Sequence, residues 1–76
     1  MGSNVDHPEH YNQGKIETVD ALRAALGLKG FVSFCIGNVI KYVWRAGYKP
    51  GSETIEDLRK AQWYLSRAIK EIEDEV

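Results

Sequence analysis

Asn38, Lys41, Tyr42 and Arg45 follow one another in the order N-x-x-K-Y-x-x-R. At about 100° per residue of α-helix, their side chains leave within a sector of roughly 100°. The ammonium and the forked guanidinium suit anionic oxygens, the amide suits a phosphate or a base edge, and the phenol ring offers a stacking surface. The surrounding residues, among them Phe31, Phe34, Ile36, Val39, Ile40, Val43 and Trp44, are apolar almost all round. Such a helix is expected to be buried on most sides, and cations set into it must be neutralised. Two kinds of partner meet that need. One is the chain's own carboxylates, with the Lys41 and Arg45 stems covering apolar surface. The other is the phosphate of a ligand. Further along, Lys60, Trp63, Tyr64 and Arg67 repeat the layout, giving a second face suited either to stacking or to contact with another chain.

A second chemically dense stretch is His7-Pro8-Glu9-His10-Tyr11-Asn12. It admits a structural reading, with Tyr11 packed on the core, and a ligand reading, in which His7, His10 or Asn12 bonds a phosphate or a base edge. Zinc would require three or four ligands, and only these histidines with Cys35 or distant acids are available, so no metal is assigned. Gly14-Lys15 lacks the spaced glycines and the following Ser or Thr of a phosphate loop. Cys35, between Phe34 and Ile36, reads as a small buried hydrophobe rather than a nucleophile, and a single cysteine excludes an internal disulfide.

The elements expected to position these groups are helical. Residues 1–15 form an irregular arm. Ile16, Val19, Leu22 and Leu26 predict a first helix over 16–26, stopped by Gly27, with a short link to Gly30. A second helix is expected over 31–46, with Gly47 in the left-handed position past its end. After a Pro50-Gly51 turn, Thr54 with Asp57, or else Ser52, caps a third helix over 54–75. That helix sets Ile55, Leu58, Gln62, Leu65, Ile69, Ile72 and Val76 at alternating steps of three and four, a heptad seam with one polar member. Packing within the chain and pairing between chains both satisfy such a seam. The expected fold is a single all-α domain, 1–76, a three-helix bundle completed by oligomerisation.

Composition narrows the function. Ten Lys and Arg against eleven Asp and Glu give a net charge of -1, so no global field gathers duplex DNA or an acidic membrane, and any anion site is local. The longest apolar-rich run, Phe31 to Trp44, is interrupted by Ser33, Asn38 and Lys41 and falls short of the roughly 20 residues of a membrane span. Met1-Gly2-Ser3 reads more like an expression scar than a targeting signal, and a reducing cytoplasm is expected. Chains below about 80 residues commonly need extra stabilisation, and without disulfides association is the natural source.

Three ordered segments, HPEHYNQGKIETVDAL, GFVSFCIGNVIKYVWRAGYK and EDLRKAQWYL, together resemble the SaV-like family of small bacteriophage proteins over about Val5 to Leu65. Part of a lytic coliphage nucleotide kinase is similar to that family, so the resemblance implies a module that handles nucleotides in the cytoplasm of an infected bacterium. By analogy of size and chemistry alone, very small phage proteins also assemble into oligomers that sequester nucleotide signals of host defence.

Three readings follow. The first is an oligomeric binder of a nucleotide or cyclic nucleotide that needs no cofactor, with Lys41 and Arg45 on phosphates and Tyr42 or Tyr11 against the base. The second is a nucleotide kinase, which would require Mg²⁺ held by acids such as Glu53, Glu56 and Asp57. The third is an interaction module that blocks a host factor through Trp63 and Tyr64.

Overall fold

The computed structural model describes residues 12–13, 16–48 and 51–76. The chain opens on two short strands, β1 (Asn12–Gln13) and β2 (Ile16–Glu17), paired antiparallel with Asn12 opposite Glu17 and Gln13 opposite Ile16. Two helices follow, α1 (Thr18–Ala46) and α2 (Gly51–Glu75). Ile16, expected to open a helix, instead takes part in the strand pair, and α1 begins two residues later.

The described chain has two helices, the first made of two helical segments joined across a kink at Gly27. Gly27 does break the helical path, with φ 74° and ψ 175°, but Leu28 to Gly30 are already helical, so the expected link is a one-residue kink inside α1. A side chain would strain this backbone conformation although nothing lies within 4 Å of the Cβ position. The dihedral angles therefore select glycine here, and lack of room does not. At the other end of α1, Gly47 is right-handed (φ -69°, ψ -11°) and not left-handed as expected. Tight turns close the helix there, with the Gly47 amide on the Trp44 carbonyl and the Tyr48 amide on the Arg45 carbonyl. Gly51 takes the positive φ of the connection, 55°. Thr54 lies inside α2, and its hydroxyl donates to the Ala46 carbonyl at 3.3 Å, tying the end of α1 to the start of α2.

The helices meet along a line made by Phe31, Cys35 and Ala46 of α1 and Asp57, Ala61, Ala68 and Glu71 of α2, all buried. The three alanines leave little side chain between the helices. Phe31, Cys35 and Ala68 form the centre of the core, and the Gly27 kink folds the first segment of α1 back so that Val19 and Leu22 pack onto it, beside Phe34 and Tyr64. Burial pushes the Cys35 thiol above its ordinary pKa, in keeping with its reading as a core residue.

A charged network holds the folded-back segment in place. Glu71 accepts Arg23 Nε at 2.7 Å on one carboxylate oxygen and Arg67 Nε at 2.8 Å on the other. Arg67 Nη2 reaches Asp20 at 2.7 Å, and Arg23 Nη2 reaches Glu75 at 3.1 Å. The hydrogen bond from Arg23, with that from Arg67 beside it, holds the Glu71 carboxyl below the usual range against the opposing effect of burial.

The molecule measures 37 × 27 × 16 Å, a thin slab. Starting from the buried line and winding at about 100° per residue, Ile36, Ile40 and Val43 leave one side of α1 while Lys41 and Arg45 leave the other. On α2 the heptad residues leave one side while Lys60, Trp63 and Arg67 leave the other. The end of α1 meets the start of α2 and the helices pack side by side in opposite directions, so the two apolar stripes share one broad face of the slab and the cations share the opposite one. Among the described residues no helix is long and apolar enough to cross a membrane.

Candidate functional site

Tyr42 is the centre of the cationic face. Its ring lies nearly parallel to that of Tyr64, 13° between planes and 6.0 Å between centroids. Tyr64 in turn meets Trp63 edge-on at 5.0 Å and Phe34 edge-on at 5.9 Å, which anchors the aromatic patch in the core. Around the Tyr42 ring stand three cations: Lys41 Nζ at 4.4 Å from the centroid, Arg45 Cζ at 5.5 Å and Lys60 Nζ at 5.5 Å. Each gains about 0.5–1 kcal/mol from the ring at a partly exposed position.

The charges around that ring do not balance. Asp57, 2% exposed, approaches Arg45 Nε at 3.8 Å, the outer limit of an ion pair. No carboxylate among the described residues pairs with Lys41 or Lys60. Among the described residues, three cations stand at the ring against the one carboxylate of Asp57, an excess of positive charge on a protein whose total is -1. Like charges crowded at the slab surface repel one another, and an incoming anion relieves that repulsion. The helix supplies the arrangement: Lys41 and Arg45 are one turn apart, and Lys60 reaches the same ring across the interface.

The structure brings together most, but not all, of the residues expected from the sequence. Lys41, Tyr42, Arg45, Lys60, Trp63 and Tyr64 share one patch. Asn38 lies one turn before Tyr42, and its amide nitrogen donates to the Phe34 carbonyl at 3.0 Å, so this donor is engaged within α1. Arg67, expected alongside Lys60, turns away to Asp20 and Glu71 and also covers the Phe31 ring at 5.5 Å. His7, His10 and Tyr11 lie outside the described residues, and Asn12 enters only through its backbone pairing.

Sequence reasoning missed Asp57 as the buried partner of Arg45, having read it as a cap or a metal ligand. It also missed the Arg23–Glu71 bridge. The i, i+4 spacing of Arg67 and Glu71 was available as a signal, whereas Arg23 is 48 residues from Glu71 and no local pattern links them. Among the described residues no three His, Cys, Asp or Glu side chains gather as a metal site would require.

A separate apolar groove of about 540 Å³ lies at the kinked end, lined by Leu28, Lys29, Gly30, Val32, Ser33 and Ile72. It sits roughly two to three helical turns from the Tyr42 cluster and has one cation, so it lacks the chemistry of the cationic patch.

Comparison with known proteins agrees with a phage origin. The chain is 36% identical over 64 residues to the "Gene 1.7 protein" of Enterobacteria phage T3, covering 82% of this chain and 39% of that protein. It is also 36% identical over 62 residues to "Nucleotide kinase gp1.7" of Escherichia phage T7, covering 79% of this chain and 32% of that protein. The chain thus spans about a third of the length of these curated relatives. No solved structure matches. Residues 5–66 match the profile of a family described as proteins of unknown function, DUF3310, and the chain belongs to that family.

Proposed function

We propose that this protein binds a nucleotide through its phosphates, with Lys41, Arg45 and Lys60 as the anion-holding groups and Tyr42 and Trp63 as the aromatic surface for the base. The observation that carries this reading is the cluster of three cations around Tyr42, in which two lysines have no carboxylate partner among the described residues. Its chemistry fits a ligand with both charge and a flat ring, since an ammonium or guanidinium bonds oxygen while a neighbouring aromatic face accepts a base. An exposed patch on a slab 16 Å thick offers binding and little enclosure, which favours holding a ligand over transforming it. In a phage-infected bacterium that activity amounts to sequestering a nucleotide or a nucleotide second messenger of host defence, with the protein acting as an oligomer.

Calorimetric titration with nucleoside mono-, di- and triphosphates and with cyclic dinucleotides tests the proposal. Binding of at least one ligand, recovered chemically unchanged, is the expected result. Absence of binding to all of them, or unchanged affinity in a folded Lys41→Ala/Lys60→Ala variant, overturns the site.

A second reading is favoured by the name of one relative, a nucleotide kinase. Phosphoryl transfer would draw on Mg²⁺ held by carboxylates. Asp57 is buried beside Arg45, which leaves Glu53 and Glu56, both exposed in the first turns of α2, as the nearest free candidates in sequence. Formation of a nucleoside diphosphate from ATP and any nucleoside monophosphate would establish this reading in place of sequestration.

A further inference from the structure

The structure assigns the apolar face of the slab, opposite the cation cluster, as the surface on which a second copy of this chain docks, forming a four-helix bundle with the two Tyr42 sites facing outward. The face is built from Ile36, Ile40 and Val43 of α1 and Leu65, Ile69 and Ile72 of α2, each between 44% and 61% exposed, and the seam continues to Ile55, Leu58 and Val76. Isolated exposed apolar residues are ordinary, whereas a continuous face of them marks an interaction surface.

Three observations name the occupant. First, the α2 seam keeps a strict alternation of three and four residues over three heptads, with β-branched Ile55, Ile69 and Val76 at one position of the repeat and Leu58, Leu65 and Ile72 at the other. This spacing matches the interlocking of near-parallel helices, and within the chain it is only about half covered: the buried line of α2 against α1 is a different one, Asp57, Ala61, Ala68 and Glu71. Second, the broad side of the slab that carries these residues spans 37 × 27 Å, large enough to hold an interface of the standard ~800 Å² per partner. Third, the face is matched to itself. It is apolar in its middle on both helices, so a two-fold axis lying in its plane sets like stripe against like stripe and closes the assembly. An amphipathic peptide would cover one stripe and leave the other exposed.

The assembly has a consequence for the site. Each cation cluster is made by one chain and lies on the outside of the bundle, so the dimer carries two separate sites back to back. The inference rests on a different face from the nucleotide reading and stands without it.

Sedimentation equilibrium of the full chain at about 50 μM, together with melting curves across a hundred-fold range of concentration, tests it. The expected result is twice the 8.6 kDa chain mass, or an even multiple of it, with a melting temperature that rises with concentration. Leu65→Asp and Ile69→Asp are expected to shift the mass to that of one chain. A wild-type protein of single-chain mass with a concentration-independent melting temperature overturns the inference. So does an unchanged mass in both Asp variants, or dissociation caused by Lys41→Ala and not by them, which would place the interface on the cationic face. Should the Asp variants unfold, the wild-type melting series alone decides, since only an associated native state melts higher when more concentrated.

Discussion

The two broad faces of the slab are made by the same two helices, yet they solve opposite problems. The apolar face is regular: its residues recur at heptad steps, nothing on it requires a particular neighbour, and it lacks only a cover. The cationic face is irregular: Tyr42, Tyr64 and Trp63 are fixed against Phe34 and the core, and Lys41, Arg45 and Lys60 are hung around them. A chain of 76 residues has too little interior to bury both. Under the two proposals above, stability is deferred to one side and ligand chemistry is kept on the other, so the two should be separable by mutation.

The largest effect breaks both faces together. Phe31 is fully buried beneath them, and Phe31→Ala removes the ring on which Val19, Leu22 and the Arg67 guanidinium converge. A loss of about 3–5 kcal/mol is expected from the missing transfer energy and the cavity left behind, comparable to the whole stability of a small domain. Urea titration followed by circular dichroism should show a largely unfolded variant. A midpoint near wild type would mean that the core is elsewhere.

The next effect sharpens the division by touching one face only. Removing two ammonium groups in Lys41→Ala/Lys60→Ala should weaken nucleotide binding by about a hundred-fold or more, since charge-assisted hydrogen bonds contribute about 1.5–3 kcal/mol each; the attraction of Arg45 remains. Folding should change by no more than about 1–2 kcal/mol, the lost contacts of both ammonium groups with the Tyr42 ring being offset by relief of repulsion among like charges. A melting temperature that falls with the affinity would show that the faces are coupled.

Glu71 tests what holds the folded-back segment of α1. Its carboxyl is held below the usual range, first by Arg23 and then by Arg67, so the folded state binds its proton less readily than the unfolded chain does. The resulting stabilisation is complete above the ordinary value of about 4.5 and is lost as pH falls through the lower, folded-state value. Glu71→Gln should therefore cost about 1–3 kcal/mol at neutral pH, leaving two guanidiniums without their shared anion, and should flatten the acid limb of stability against pH. Equal slopes for variant and wild type below about pH 4.5 would assign acid sensitivity to other carboxylates.

Glu71 also shows where sequence reading stops. Periodic features were legible: the helical character, the stop at Gly27, the seam from Ile55 to Val76 and the co-facial Lys41, Tyr42 and Arg45 all follow from local spacing. The extent of the interruption was not: Leu28 to Gly30, expected as a link, are helical, because one glycine with positive φ is enough to turn the chain between two helical segments. The positions of Arg67 and Asp57 were missed for a different reason. Each is fixed by a partner on another element, Arg67 by Asp20 and Asp57 by Arg45, and such pairings carry no period. Likewise, the spacing of the seam set its geometry but left open whether the chain itself or a neighbour fills it.

The smallest effect bears on that neighbour. Gln62 is the one polar member of the seam, flanked by Leu58, Leu65 and Ile69, and it is exposed in the single chain. On a free surface, Gln62→Leu would change stability by no more than about 0.5 kcal/mol and lower solubility. Beneath a second copy it would remove a desolvated amide from an apolar layer, raising the melting temperature by the equivalent of up to about 1 kcal/mol. A polar residue at one core position of a helical repeat restricts register and subunit number, so the same substitution should also blur the stoichiometry. Native mass spectrometry of Gln62→Leu should then show additional oligomers beside the wild-type species. A more stable variant with one sharp mass would keep the covered face and remove Gln62 as the residue that sets its register.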